Sequence, residues 1–424
     1  MASPSLSAPL RLGAYTDLLP IVANQAGGIA IGLVSLRLSS EWVPPAAFGV
    51  YGLFLALAAV GSTITHAGVA RYASRYGMEG RSLGEFLRWL WRQAAFPSAA
   101  VLAVPCGIFL WNRGRGTAWG DPVFGAALAM ALLGSAASLV FHLILQHGRH
   151  YRRDFAVSFA GNALRALLPL GCAYVWGPQP RVLAGGFALA VWLETIGTVW
   201  SASDLAAMPA ASVGQPAITS YHLPLALAGG FTWLGSHAHR WLCSLAFDRQ
   251  ELGWAILAGN LAFVLPNVLG AVCWQYVYSR AIVTAAAAPA RAWRQVERAI
   301  LGFAVLALVG GLALFFVLPW LPGTLISQGY APCLRFVPSL YACGCAVALG
   351  QFYQGQLLVL PTPWGATSVT AAATLVLFGG GLVAVTRSAD TLLWWLALSP
   401  VGVGLVARTV ARRLWRRSLA QRSA

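Results

Sequence analysis

Long apolar stretches, separated by short polar segments, recur along the chain from residue 18 to residue 408. A helix that crosses a membrane needs about 20 predominantly apolar residues, and twelve stretches reach this length. The predicted membrane helices are 18–38, 47–69, 89–111, 122–146, 154–176, 182–203, 221–246, 252–277, 297–320, 335–360, 364–386 and 390–408. The gaps between them leave no room for a large soluble domain. The pattern therefore predicts an all-α polytopic membrane protein.

A passage in the first half of the chain is repeated, loosely, 204 residues later. Phe48-Gly49-Val50-Tyr51-Gly52-Leu53 corresponds to Leu252-Gly253-Trp254-Ala255-Ile256-Leu257. Further matches at this offset are Leu57 with Leu261, Ala67 with Ala271, Tyr72 with Tyr276 and Trp89 with Trp293. A membrane chain of two similar halves is typical of transporters, because two related bundles can move about a site between them. We predict two pseudo-symmetric six-helix bundles, 1–203 and 221–408, a cytoplasmic linker 204–220 and a basic cytoplasmic tail 409–424.

Charged residues are scarce, and most of the basic ones fall on one side of the predicted membrane. They make up 9% of the chain, against about 25% in an average soluble domain. The net charge of +16 comes from 28 arginines, since the chain has no lysine. Nineteen of these arginines lie in the termini, in the segments on the same side of the membrane, or at the adjoining ends of the apolar stretches. By the positive-inside rule we predict cytoplasmic termini, and we expect no nucleic-acid partner.

Several kinds of chemistry are disfavoured by the residues present. The seven cysteines lie mostly inside apolar runs and form no paired metal-ligand pattern, so we expect no metal site and no cofactor. A phosphate-binding loop needs a lysine that this chain lacks, which excludes self-contained ATP hydrolysis of that type. The predicted external loops are short, which argues against a glycan polymerase or ligase. We therefore expect a protein that is not an enzyme.

Two passages of the sequence resemble a known family. The first comprises Arg37-Leu38, Ala46-Ala47-Phe48-Gly49-Val50-Tyr51 and Gly68-Val69-Ala70-Arg71-Tyr72. The second comprises His239-Arg240-Trp241 and Glu251-Leu252-Gly253-Trp254-Ala255. Both resemble motifs of Wzx-type flippases for O-antigen and exopolysaccharide, which belong to the MATE-like superfamily. His239 stands where that family usually has aspartate.

The resemblance implies a fold, a substrate and a location. The fold is two six-helix bundles that form a V around a central cavity. The substrate is an undecaprenyl-pyrophosphate-linked oligosaccharide, moved from the cytoplasmic to the periplasmic leaflet of the bacterial inner membrane during polysaccharide biosynthesis. The expected partners are this lipid-linked oligosaccharide, membrane lipids and other polysaccharide-assembly proteins.

Three arginines at or inside predicted spans are candidates for binding the substrate headgroup. An ionisable side chain inside a span costs about 2.5–3.5 kcal/mol at the helix centre, so its presence indicates a function. Arg165 lies mid-span, and Arg37 and Arg240 lie at nearly equivalent positions of the two halves. Arginine binds phosphate oxygens through two parallel hydrogen bonds, which suits a pyrophosphate. Alternatively, Arg37 and Arg240 extend to the membrane interface or pair with Glu41 and Asp248.

Other polar residues in the spans are candidates for coupling and for sugar binding. Glu194 is either a coupling site for protons or cations, or the ion-pair partner of Arg165. The candidate sugar-binding residues are Asn24, Gln25, Gln351 and Gln354. Alternatively, these amides form hydrogen bonds between helices. The histidines 66, 142, 237 and 239 are interpreted as interhelical packing residues rather than metal ligands.

Two rival functions remain open on the sequence. The first is a MATE-like, cation-coupled exporter of small molecules, which a coupling carboxylate would favour. The second, favoured less, is a membrane-embedded glycan polymerase or ligase, which would lengthen or transfer glycan.

Overall fold

The described part of the chain is almost entirely helical. The computed structural model describes residues 13–65, 103, 107, 118–147, 150–202, 218–358 and 363–423. Its α-helices, numbered here in chain order, are α1 Gly13–Trp42, α2 Pro45–Thr65, α3 Pro122–His147, α4 Tyr151–Trp176, α5 Pro180–Ala202, α6 Ile218–Ala246, α7 Arg249–Ala262, α8 Val264–Ala287, α9 Pro289–Val317, α10 Val337–Leu358, α11 Pro363–Thr374, α12 Gly380–Val385 and α13 Ala389–Ser423. A π-helical turn, Leu375–Gly379, joins α11 to α12. Short 3₁₀ segments are Ala118–Gly120, Leu318–Trp320 and Gln328–Phe336.

The prediction of an all-helical, polytopic membrane protein is confirmed. Nine helical segments within the described ranges are long and apolar enough to cross a membrane. Eleven of the twelve predicted spans coincide, over the described part of each, mainly with helices. The other, 89–111, lies outside the described residues except for positions 103 and 107. Most of the predicted linker, residues 204–217, lies outside them as well.

Two of the differences from the predicted helix boundaries have a clear position in the sequence. The span predicted at 252–277 is interrupted at Phe263, where α7 ends and α8 begins. Pro266 accounts for the interruption, because it has no N–H to donate to the carbonyl of Ala262 four residues earlier. Residues 409–423, predicted as a tail, continue α13 as helix.

The two copies of the sequence repeat lie directly against each other. Helices α2 and α7 are in contact, and a Cβ built on Gly49 would lie 3.1 Å from the backbone nitrogen of Gly253. A Cβ on Gly253 would overlap the carbonyl oxygen of Pro45, and one on Gly52 would overlap Ile256. Small residues allow membrane helices to approach this closely. Gly49 and Gly253, and likewise Gly52 and Ile256, are 204 residues apart, so equivalent positions of the repeat contact one another.

The remaining helices pack around this contact. In the first half α3, α4 and α5 pack together, α1 lies against α4, and α2 lies against α3. In the second half α10 packs against α11 and α13, α6 packs against α11, and α8 packs against α9. The segment before α10 reaches back to the first half, since Tyr330 donates to the carbonyl of Val43 at 2.8 Å. The amide of Ser327 also donates to Ser40 Oγ at 3.0 Å. The halves are therefore joined at the end of the molecule where α1 ends and α2 begins.

Candidate functional site

A cavity of about 560 Å³ lies between helices of the first and second halves. Its lining comes from α1, α2 and α4 on one side and from α6, α7, α8 and α10 on the other. The polar members include Ser35, Arg165, His237, Arg240, Asn260 and Gln351. The volume is within the range of about 300–1,000 Å³ that is typical of small-ligand sites. Two of the three arginines singled out from the sequence therefore face one space.

Arg165 projects from α4 and is held by an acid. Its Nε lies 3.1 Å from Oε2 of Glu194 on α5. Its Nη2 donates to Oδ1 of Asn162, one turn earlier on α4, at 3.0 Å. About one-third of the Arg165 side chain is exposed, whereas that of Glu194 is 2% exposed. The guanidinium therefore borders the cavity, while the carboxylate behind it is buried.

Glu194 is the centre of a polar network built by three helices. Ser138 Oγ and His142 Nε2, both on α3, each lie 3.3 Å from Glu194 Oε1. His142 Nδ1 lies 2.7 Å from Oδ1 of Asp154 on α4. Gly161 on α4 makes room for the carboxyl group, because a Cβ there would overlap it. A buried carboxylate is tolerated only with such partners, and this site supplies a cation, a hydroxyl and an imidazole.

Arg240 borders the same cavity from α6 without a carboxylate partner in the described part of the chain. Its Nη1 donates to the carbonyl oxygen of Gly52 on α2 at 2.9 Å. Its Nη2 donates to Oδ1 of Asn260 on α7 at 3.0 Å. Its Nε is buried and has no hydrogen-bond partner among the described residues. The pairing with Asp248 considered from the sequence is not formed, since Asp248 instead caps the N-terminus of α7.

Two histidines beside Arg240 also line the cavity. His239 is 4% exposed, and its ring stacks on Phe263 with centroids 4.4 Å apart. The Nδ1 atoms of His237 and His239 are both buried without a hydrogen-bond partner among the described residues. The sequence interpretation treated both as packing residues, so their place at the cavity was missed. The sequence signal for these positions was a polar residue inside an apolar span. Asn260, which also lines the cavity, is another such residue.

The other residues predicted for the site have different positions. Arg37 forms an ion pair with Glu41 one turn later on α1, as one sequence alternative had it, and is not among the cavity-lining residues of the described chain. Asn24 and Gln25 lie on α1, but their side chains fall outside the described part of the structure. Gln351 lines the cavity, whereas Gln354 is 3% exposed and lines a neighbouring space of about 30 Å³. The sugar-binding role of these amides stays a prediction.

The comparisons with known proteins identify the fold. No protein-family model and no curated protein sequence matches the chain. Among solved structures, it is similar to the lipid II flippase MurJ in an inward closed conformation, with a TM-score of 0.66, 11% identity, and coverage of 93% of this chain and 86% of that one. It is also similar to a MATE-family multidrug resistance transporter of the MOP superfamily in an inward-facing conformation, with a TM-score of 0.59, 14% identity and 94% of both chains covered. The chain thus has the fold that these flippases and transporters share.

Proposed function

We propose that the protein moves an undecaprenyl-pyrophosphate-linked oligosaccharide from the cytoplasmic to the periplasmic leaflet of a bacterial inner membrane. The observation that carries this proposal is that Arg165 and Arg240 face one cavity from its two sides. Phosphate recognition commonly relies on arginine, because the guanidinium presents paired donors to phosphate oxygens. The similarity to a structure described as a lipid II flippase supports a lipid-linked substrate. The sequence resemblance to Wzx-type flippases supports the oligosaccharide.

The size of the cavity limits what it holds. About 560 Å³ accommodates a pyrophosphate and the neighbouring sugar, but not a polyprenyl chain, which stays in the bilayer. The charged headgroup enters from the cytoplasmic side and binds between the two arginines. Movement of the two bundles about the contact of α2 with α7 then exposes the headgroup to the other side. The contacts of Tyr330 with Val43 and of Ser327 with Ser40 must open for its release.

The test is a translocation assay in proteoliposomes that contain a fluorescent lipid-linked oligosaccharide. A hydrogen bond to a charged group contributes about 1.5–3 kcal/mol, so Arg240→Ala is expected to slow translocation by about 10- to 100-fold. Arg165→Ala is expected to slow it as well. Arg387→Ala is the control, because Arg387 is exposed in the turn between α12 and α13, away from the cavity. Unchanged translocation in both cavity variants contradicts the proposed headgroup site.

A cation-coupled exporter is the second candidate, and the network around Glu194 favours it. His142, Asp154 and Glu194 are titratable groups held together beside the cavity, as proton coupling requires. The same proteoliposomes decide between the functions. A lipid-linked substrate that moves without a proton gradient supports the flippase. Proton-driven efflux of an organic cation, lost in Glu194→Gln, supports the exporter.

A further inference from the structure

A second basic site lies at the membrane boundary, away from the central cavity. The first turns of α9 and the last turns of α13 enclose a groove of about 380 Å³. Its lining residues are Ala290, Trp293, Arg294, Arg412, Trp415 and Arg416. The rings of Trp293 and Trp415 pack against each other with centroids 4.8 Å apart. The groove therefore combines two indoles with three guanidinium groups.

Cations exceed anions at this groove. Glu297 lies beside it and binds Arg412 at 2.9 Å and Arg408 at 3.3 Å. Arg294 and Arg416, both exposed, form no ion pair with any described residue. Glu297 is thus already bound to two arginines, and the charges of Arg294 and Arg416 have no carboxylate partner among the described residues. The groove therefore carries a net positive charge, which favours an anionic ligand.

The groove lies at the level of lipid headgroups. Exposed apolar side chains cover α9 from Leu301 to Val317, as expected of a surface in contact with lipid tails. Arg294 precedes Leu301 by seven residues, or about 10 Å along the helix. On α13 the exposed apolar surface includes Val401 and Leu405, and the arginines follow directly. Tryptophan and arginine are both enriched at this boundary between hydrocarbon and water.

We propose that this groove binds the headgroup of one anionic phospholipid. Arg294 and Arg416 bind the phosphate, the indole of Trp293 packs along the upper acyl chains, and the tails continue over the apolar surface of α9. A free phosphate ion would use the arginines but neither the indole nor the apolar surface. Positive charge on the cytoplasmic face favours anionic lipid, and these arginines lie on that face in the predicted orientation. The site is independent of the proposed transport function, since its occupancy is measured without transport.

The test uses the full chain in detergent, titrated with phosphatidylglycerol and examined by native mass spectrometry. We expect one saturable phosphatidylglycerol per protein and no comparable occupancy by phosphatidylcholine with the same acyl chains. Arg294→Gln/Arg416→Gln is expected to weaken that binding by about 30-fold, from two arginines near a lipid headgroup. Arg294→Lys/Arg416→Lys keeps the charge and should retain most of the binding. This variant still tests the proposal if the glutamine variant does not fold.

The matched control is Arg413→Gln/Arg417→Gln. It removes two exposed arginines from the same turns of α13, but neither residue lines the groove. The control is expected to bind phosphatidylglycerol as the unmodified chain does. Equal loss in both glutamine variants, equal occupancy by phosphatidylcholine, or displacement of the lipid by millimolar inorganic phosphate would overturn the proposal.

Discussion

The two arginines of the central cavity are held in opposite ways. Arg165 pairs with a carboxylate that is itself bound by a serine and a histidine. Within the described ranges, Arg240 is bound only by uncharged oxygens, from Gly52 and Asn260. The charge of Arg165 is therefore neutralised in the absence of substrate, whereas that of Arg240 gives the cavity a positive potential. In the proposed function, Arg240 would attract the anionic headgroup, and Arg165 would bind it by exchanging one anion for another.

The largest expected effect on stability comes from removing Arg165. Arg165→Leu leaves the buried carboxylate of Glu194 without its cation, which costs about 3 kcal/mol in the free energy of unfolding. Arg240→Leu strands only neutral oxygens and is expected to cost about 1 kcal/mol. Both values are measured by denaturant unfolding in detergent micelles. The second substitution Glu194→Gln should recover most of the loss in Arg165→Leu and none of the loss in Arg240→Leu. Equal costs for the two single variants would abolish the contrast between the arginines.

A smaller effect is expected from crowding the same ion pair. In Gly161→Ala the new Cβ overlaps the carboxyl group of Glu194 and pushes it away from Arg165. Overpacking of this kind costs about 1–3 kcal/mol. Gly171→Ala is the control on the same helix, because in the described part of the chain no atom beyond the neighbouring backbone of α4 lies within 4 Å of its added Cβ. Thermal unfolding should show a lower Tm for Gly161→Ala and no decrease for Gly171→Ala. A parallel decrease in both variants would mean that helix α4, not the ion pair, is affected.

The smallest effect is expected at Arg37. Its ion pair with Glu41 is on the partly exposed face of α1, and such i,i+4 pairs contribute about 0.3–0.5 kcal/mol. Arg37→Ala should therefore leave both Tm and translocation close to those of the unmodified chain. A loss of translocation as large as that of Arg240→Ala would instead restore the headgroup role predicted from the sequence.

Arg37 illustrates how far the sequence determines the site. The repeat has an offset of 204, which makes Leu36 the equivalent of Arg240 and Trp241 the equivalent of Arg37. In the structure Leu36 and Arg240 line the cavity, and Arg37 does not. One residue rotates a side chain by about 100° around a helix, which is enough to turn it from the cavity to another face. Near-equivalence in sequence was therefore insufficient.

Other parts of the structure could be predicted from the sequence to different degrees. The helices followed from apolar length alone, because a membrane span requires a continuous apolar segment. The pairing of Arg165 with Glu194 was one of two alternatives open on the sequence, and the cost of leaving either charge unpaired in a span favoured it. The approach of His142 to Asp154 could not be predicted, because it depends on how α3 and α4 are rotated about their axes. Helices that are apolar on all sides carry little information about that rotation.

The contact of Gly49 with Gly253 has a consequence for the order in which helix contacts form during synthesis. Synthesis at about 5–20 residues per second places the second glycine about 10 to 40 s behind the first. During that interval the small residues of α2, Gly49 and Gly52, have no contact with α7. A first half produced alone would expose these small residues to lipid or to other membrane proteins. The close contact of α2 with α7 can thus form only late in synthesis, after both halves of the repeat have been made.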